Sequence, residues 1–530
     1  MSYQSLSFIM FSLAVVLVYY IVGRKAQKWV LALANLVFYA IAGVEYLPFL
    51  FITMAATFFC AKGIGKIYEK LDEELKEATE AAQKKELRNG AKKKAKKVLV
   101  AGLAVAIALL AVCKYTGFIL GNINGILAGI GQGQIKLFDM ILPVGISFYT
   151  FMAISYVLDV FWKRYSYERN FLNYAVYLSY FPHVVQGPIG RFNEFKSQIE
   201  GGVAFSYENL TFGAQLSLWG LFKKLVVADG IGQVINPVLN DWQTSGGLSI
   251  MLALVLFSVQ IYADFSGCIN IITGVSETLG IKLRKNFNHP YFSRTMPEFW
   301  RRWHISLQEW FKDYIYYPVS ASGLTKKVKK HFKNKGKKRM EELFASCFPI
   351  LIVWLVTGIW HGASWNFVIW GLFHAAVLIG SQVFEPLFTK CNERLHIKQD
   401  AFFFRLWQMV RTFLICCVGR IFFRAPSLAV GVAWIKKMLT SFSVSALLQD
   451  YGAFGAGFTK LCTTLLIPAW SIFVLWCVDM LQERMSLRQT LAKKNIVLRW
   501  VLIYALMFSI LIFGCYGPGY SAADFIYEKF

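Results

Sequence analysis

Residues 343–384 read LFASCFPILIVWLVTGIWHGASWNFVIWGLFHAAVLIGSQVF, 42 residues in which His361 and His374 are the only Asp, Glu, Lys, Arg or His side chains. At about 1.5 Å of rise per residue, such a run is twice what an α-helix needs to cross a hydrocarbon core of about 30 Å. It predicts two membrane helices with a break between them, and the Thr357-Gly358 and His361-Gly362 steps are the candidate break points.

The rest of the chain has the same character. Of its 530 residues 56% are apolar and 16% aromatic, and only 16% are charged, against about 25% in soluble domains. The first apolar run, residues 3–23, follows Met1 with no basic n-region and no small-residue cleavage signal, so it reads as a retained span. Its cations, Arg24, Lys25 and Lys28, come afterwards, which places the N-terminus outside the cytoplasm and the first short loop inside. Further apolar runs lie near 29–44, 46–61, 98–113, 115–135, 137–160, 171–190, 209–240 and 248–276, and then near 401–423, 425–440, 461–480 and 500–519. Some are short or interrupted by charge. The expected fold is all-α and polytopic, with about eleven transmembrane helices plus re-entrant or interfacial ones. The chain divides into N-terminal spans (1–61), a charged cytoplasmic loop (62–97), a core (98–385) and C-terminal spans with a tail (386–530). There is no convincing internal repeat, which weakens an inverted-repeat transporter reading.

A formal net charge of +25 raises the question of nucleic acid, but the cations are concentrated in a few segments between apolar runs. Residues 62–97 carry 12 Lys/Arg against seven Asp/Glu, and residues 326–339 carry nine Lys/Arg and no acid. Both segments are expected on the cytoplasmic side, near anionic headgroups. Residues 71–97, dense in Ala, Glu and Lys, predict a solvated helical hairpin. The loop 483–499 has five cations and one acid, so it too is expected inside, with the C-terminus outside. Of the ten cysteines, Cys113, Cys268, Cys416, Cys417, Cys462 and Cys477 sit in apolar stretches and none forms a CxxC pair. They read as small packing residues, with no disulfide framework and no metal site.

Two segments carry candidate chemistry. Residues 299–311, FWRRWHISLQEWF, read as one amphipathic helix with positions 300, 304, 307, 311 and 314 on a shared face. His304 then faces inward, and Glu298 is spaced to pair with Arg301 or Arg302. A membrane-interface helix rich in Trp and Arg is an equal alternative. In the second segment, residues 357–367 (TGIWHGASWNF), His361 lies in an apolar run and needs partners or a cavity. Neutral imidazole is a base at pH 7 that can later return its proton, which suits acyl transfer without a metal. His374 is about 20 Å from His361 along a continuous helix, so the two share a site only if the chain folds back.

At these residues the chain resembles the membrane-bound O-acyltransferases. Residues 299–318 (FWRRWHISLQEWFKDYIYYP) and 357–367 look like the paired signatures of that family. The bacterial branch, which acylates cell-surface polymers, also has an FP…GPI.R segment similar to residues 180–191 (YFPHVVQGPIGR). The resemblance implies a funnel or tunnel through the bilayer, with His361 the essential histidine and His304 the supporting one. Asn366, Trp360, Trp303, Arg301 and Arg302 become candidate substrate-contacting or supporting residues, with Asn366 or His304 as possible oxyanion donors. His183, at a variable-looking place in its motif, reads as structural. No bound cofactor or metal is implied; the acyl donor is a cytoplasmic thioester, acetyl-CoA or an acyl-carrier protein. The acceptor is a polysaccharide, a teichoic acid or an extracytoplasmic acyltransferase partner, in a bacterial plasma membrane. Acetyl is the first expectation and D-alanyl the alternative; a glycan-lipid transporter or flippase is the rival of another class. Tyr527, after a Gly/Pro-rich bend, is a candidate transient acyl carrier beside its plainer role as an interfacial aromatic anchor.

Overall fold

Backbone groups in lipid have no water to bond, so an apolar run has to satisfy them internally, and here the runs form helices. The computed structural model describes residues 1–136, 140–452 and 466–517. Among these residues there is no strand, and the isolated antiparallel bridge found pairs Phe287 with Trp303. Seven helices among the described residues are long and apolar enough to cross a membrane, and four more are apolar helices of 10–17 residues. The chain is an all-helical, multi-pass membrane protein.

Two units are distinguished by their internal contacts. The first comprises Met1–Gly213 and Val275–Arg284. It holds α1 (Leu6–Ile21), α2 (Gln27–Ala42), α3 (Leu47–Glu77), α4 (Ala81–Gly129), α5 (Ile146–Phe161), α6 (Phe171–Ser179), α7 (Phe192–Ile199) and the start of α8 (Tyr207–Leu221). The charged hairpin is present, because α3 runs on past its apolar part and turns at residues 78–80 into α4. The two apolar runs expected at 98–113 and 115–135 are one helix with the second arm of that hairpin, 49 residues in all. Lys114 interrupts the hydropathy without interrupting the backbone. Of the run expected at 137–160, the described part from residue 140 becomes helical only at Ile146, after Gly145 turns the chain at φ 75°.

The expected run 171–190 is also shorter as a helix. After α6 the chain from Tyr180 to Arg191 is irregular, yet most of it is buried. Irregular backbone at that depth requires partners from the protein. Asn35 supplies one, its Oδ1 accepting from Phe181 N (2.9 Å), while its Nδ2 donates to Val176 O and Ser179 Oγ at the end of α6. Tyr3 and Tyr177 donate their hydroxyls to the carbonyls of Phe181 and Gly190, both at 2.9 Å. His183 is 1% exposed, and its Nε2 donates to the Tyr177 carbonyl at 2.9 Å. In this unit His183 serves the packing of the irregular segment.

The second unit comprises Ala214–Gly274 and Lys285–Phe530. It holds the rest of α8, a π-helical stretch (Phe222–Ala228), α9 (Asp229–Asn240) and most of α10 (Gly247–Thr278). There follow α11 (Met296–Arg302), α12 (Ile305–Phe311), a π-helical turn (Lys312–Tyr316), α13 (Tyr317–Ser320) and α14 (Gly323–Asn334). The remainder is α15 (Lys338–His361), α16 (Trp365–Val383), α17 (Glu385–Arg394), α18 (Phe402–Arg424), α19 (Leu428–Thr440), α20 (Val444–Asp450), α21 (Ile467–Gln482), α22 (Leu487–Ala492) and α23 (Ile496–Phe513). The 42-residue run is the hairpin of α15 and α16. Its break falls at the second of the two candidate steps, where Gly362 follows His361 and Ser364 caps α16 by accepting from Asn366 N. The arms approach closely because a Cβ at Gly358 would overlap the Phe367 carbonyl, and one at Gly371 would overlap the Trp354 carbonyl.

Residues 299–311 are not one helix. Thr295 caps α11, which ends at Arg302; Trp303 is extended, His304 is left-handed at φ 48°, and α12 begins at Ile305. The cause lies outside the segment. Residues 286–288 run alongside as a short antiparallel ribbon, with Asn288 N donating to Arg302 O and Ile305 N to Asn286 O, both at 2.9 Å. The expected face is nonetheless buried, since Trp300, His304, Leu307, Phe311 and Tyr314 are each no more than 8% exposed.

Candidate active site

His361 closes the last turn of α15 at 5% exposure. Its ring lies against Trp360 and Trp370, both at 4.8 Å between centroids, and Phe423 at 5.6 Å. Trp360 also reaches the His304 ring at 6.3 Å, so the two motifs meet across one indole. His304, 1% exposed, has Phe265 edge-on at 4.8 Å. Because the helix folds back, Trp370 touches both His361 and His374, the latter at 4.9 Å. His374 is enclosed by Trp300, Trp354 and Trp370. No cluster of three or more His, Cys, Asp or Glu suited to a metal exists among the described residues.

The ribbon that breaks the helix also orients His304. Asn286 Oδ1 accepts from Ser306 N (3.2 Å) and Ser306 Oγ (2.8 Å), so this side-chain atom is an acceptor. It lies 3.1 Å from His304 Nδ1. Nδ1 is therefore the protonated nitrogen, and in the neutral ring Nε2 carries the lone pair.

The other sequence-predicted residues have varied placements. Trp303 pairs with Phe287 and stacks under the Arg420 guanidinium at 4.8 Å. Arg302 is held by Glu298 at 2.9 Å, the expected local pair, and also by Glu483. Arg301 is exposed. Asn366 Nδ2 donates to the Ala425 carbonyl at 2.8 Å, which commits its amide to the turn after α18. Tyr527 and Cys462 lie outside the described residues.

Three buried polar groups of the same unit were not singled out from the sequence. Lys224, in the π-helical stretch, bridges Asp264 (2.8 Å) and Asp229 (3.0 Å), all at 4% side-chain exposure or less. Asp479 accepts from Tyr262 Oη at 2.6 Å and faces His289 Nδ1 at 3.3 Å. Arg420 is 6% exposed and donates to the Ser258 carbonyl (2.9 Å) and to Tyr291 Oη (2.5 Å). The available signal was an ionisable residue inside an otherwise apolar run.

Residues 161–333 match the family model described as MBOAT, the membrane-bound O-acyltransferase family. That stretch contains His304 and stops short of His361. A probable alginate O-acetylase of Azotobacter vinelandii is 30% identical over 376 residues, 67% of this chain and 68% of the relative. The chain belongs to the membrane-bound O-acyltransferase family. A peptidoglycan O-acetyltransferase of Helicobacter pylori is 28% identical over 77% of this chain and 73% of its own length. A teichoic acid D-alanyltransferase of Bacillus subtilis is 27% identical over 53% of this chain and 68% of its own length. As a member of the family, this chain is an O-acyltransferase, and the rival reading as a transporter or flippase gives way to that.

Proposed function

We propose that this O-acyltransferase moves an acetyl group from a cytoplasmic thioester donor toward hydroxyls of a cell-surface polysaccharide, with His361 as general base. The observation that carries the reading is the meeting of His361 and His304 across Trp360 in a buried aromatic setting. The acceptor hydroxyl gives its proton to His361, its oxygen attacks the thioester carbon, and the tetrahedral intermediate expels the thiolate, which takes the proton back. His304, with Nδ1–H fixed by Asn286, supports that centre. The donor, acetyl-CoA or an acyl-carrier protein, approaches from the face that bears residues 326–339, and the acceptor polymer or an extracytoplasmic acyltransferase partner from the other. Both termini are then extracytoplasmic, in a bacterial plasma membrane.

Replacing His361 by Ala removes the proton acceptor. The expected outcome is a correctly inserted chain whose transfer rate falls by about 10²–10⁴-fold, read as ester content of surface polymers by mass spectrometry with and without the variant. A stably inserted His361→Ala protein with normal transfer sinks the mechanism. The likeness to the Bacillus subtilis D-alanyltransferase favours D-alanyl transfer to teichoic acid as a second reading. The mass of the ester lost on deleting the gene separates the two.

A further inference from the structure

Arg420 sits on α18, one of the helices long and apolar enough to span the membrane, and its side chain is buried. A buried cation ordinarily has a carboxylate beside it, because an unpaired charge in a low-dielectric interior is costly. Lys224 follows that rule with two carboxylates. Arg420 does not. Among the described residues no acid lies within ion-pair distance of it, and its hydrogen bonds go from Nη1 to two neutral oxygens, Ser258 O and Tyr291 Oη. The rings of Trp303 and Tyr291, at 4.8 and 5.6 Å, soften the penalty without supplying a negative charge.

The position of this cation relative to the histidines is specific. It lines a cavity of about 20 Å³ together with Trp303, Trp370, His374 and Phe423. Two of those walls, Trp370 and Phe423, are the rings packed on His361, and a third, Trp303, is the residue before His304. The cavity has room for about one water-sized group, and the side chain at its wall is a five-donor guanidinium fork with one nitrogen engaged.

We infer that Arg420 is the anion-binding residue of the transfer reaction, holding the oxygen that becomes negative when the acceptor hydroxyl adds to the thioester carbonyl. The inference rests on the acyl-transfer reading above and assigns a step that Asn366, committed to Ala425, does not fill. As the acceptor oxygen bonds to the carbonyl carbon, the hydroxyl proton passes to His361 and the carbonyl π electrons pass to oxygen. That oxyanion meets the guanidinium. Collapse re-forms the C=O bond and breaks the C–S bond, and the thiolate leaves with the proton from the imidazolium. A fixed cation in a dry site is most effective against charge that exists only in the transition state, so its removal acts on kcat rather than KM.

The test uses the full chain in proteoliposomes with acetyl-CoA as probe donor, comparing Arg420→Gln, Arg420→Lys and His361→Ala with the parent. For Arg420→Gln a fall in kcat of about 10²–10³-fold is expected, with KM within about threefold. Arg420→Lys keeps the charge and loses the fork, so an intermediate kcat is expected, and it decides the matter if the glutamine variant does not insert. Wild-type kcat in either folded variant overturns the assignment. So does a raised KM at unchanged kcat, or a failure of both variants to fold, which would make the arginine a packing element. Activity retained by His361→Ala defeats the histidine reading. An inactive His361→Ala beside fully active arginine variants defeats the arginine's role alone.

Discussion

Three donors converge on Asn286 Oδ1, namely His304 Nδ1, Ser306 N and Ser306 Oγ, while the amide nitrogen of the same side chain has no partner among the described residues. Asn286 is thus used for its neutral acceptor oxygen. Asn286→Leu removes that acceptor from all three donors, at roughly 1–3 kcal/mol for each donor left unsatisfied, so a lower unfolding temperature is expected. It also frees the choice of tautomer. With ¹⁵N-histidine labelling, and His304→Gln to assign the signal, His304 in the parent should carry its proton on Nδ1 and in Asn286→Leu should populate the other form. Asn286→Asp restores an acceptor for all three donors but adds a charge that favours imidazolium. The neutral form of His304 is then present only at higher pH, so its ¹⁵N titration moves to the alkaline side, while the general base of the reaction remains His361. An identical ¹⁵N spectrum in Asn286→Leu would show that the ring is oriented by something else.

At the scale of elements, what the sequence revealed depended on where the determining contacts lay. The α15–α16 hairpin was legible because a run of 42 residues with two histidines dictates its own length, and because Gly362 and Ser364 mark the break locally. Trp300, His304, Leu307, Phe311 and Tyr314 were legible as buried, because helical spacing reports a face. The break between α11 and α12 was not, since residues 286–288 impose it from outside the segment. Likewise Lys224 looked like an interruption in an apolar run while its partner Asp264 lies 40 residues on. Arg420 lies within the run 401–423, and its partner Tyr291 lies 129 residues back. The hairpin has a topological consequence. α15 has 24 residues, about 36 Å of helix, so its basic beginning and His361 lie at opposite ends of a bilayer-long element. If residues 326–339 face the cytoplasm, then in a cysteine-free background Lys333→Cys should react with an impermeant maleimide from the cytoplasmic side, and Ala363→Cys from the outer side. Labelling of both from one side would overturn this placement and with it the separation of donor and acceptor faces.

For the molecule as a whole, a net charge of +25 on a membrane enzyme poses the question of what the cations do besides orient the chain. Two surfaces hold much of the charge, the α3–α4 hairpin and the stretch from α14 into the start of α15. Only the second adjoins a helix, α15, that ends at His361, and α14, joined to α15 by the turn at 335–337, presents Lys326, Lys327, Lys329, Lys330 and Lys333 within three turns. Both thioester donors considered above, a nucleotide thioester and an acidic carrier protein, are anionic. Attraction to a cationic patch concentrates them and is weakened by salt, with a screening length of about 8 Å at physiological ionic strength. Changing these five lysines to Gln, with four other cations kept in residues 326–339 to preserve orientation, should raise the donor KM several-fold at roughly constant kcat and flatten its dependence on salt. The informative control is the same number of changes in α4, at Lys84, Lys85, Lys92, Lys93 and Lys94, where the charge removed is equal and no helix leads to the histidines. An equal rise in KM from the α4 set would mean that the cations act through the general attraction of headgroups and donors to a basic face. An unchanged KM in the α14 set, with its orientation verified, would leave those lysines a topological role alone. A rise confined to the α14 set would identify it as the place where the donor docks before its acyl group reaches His361.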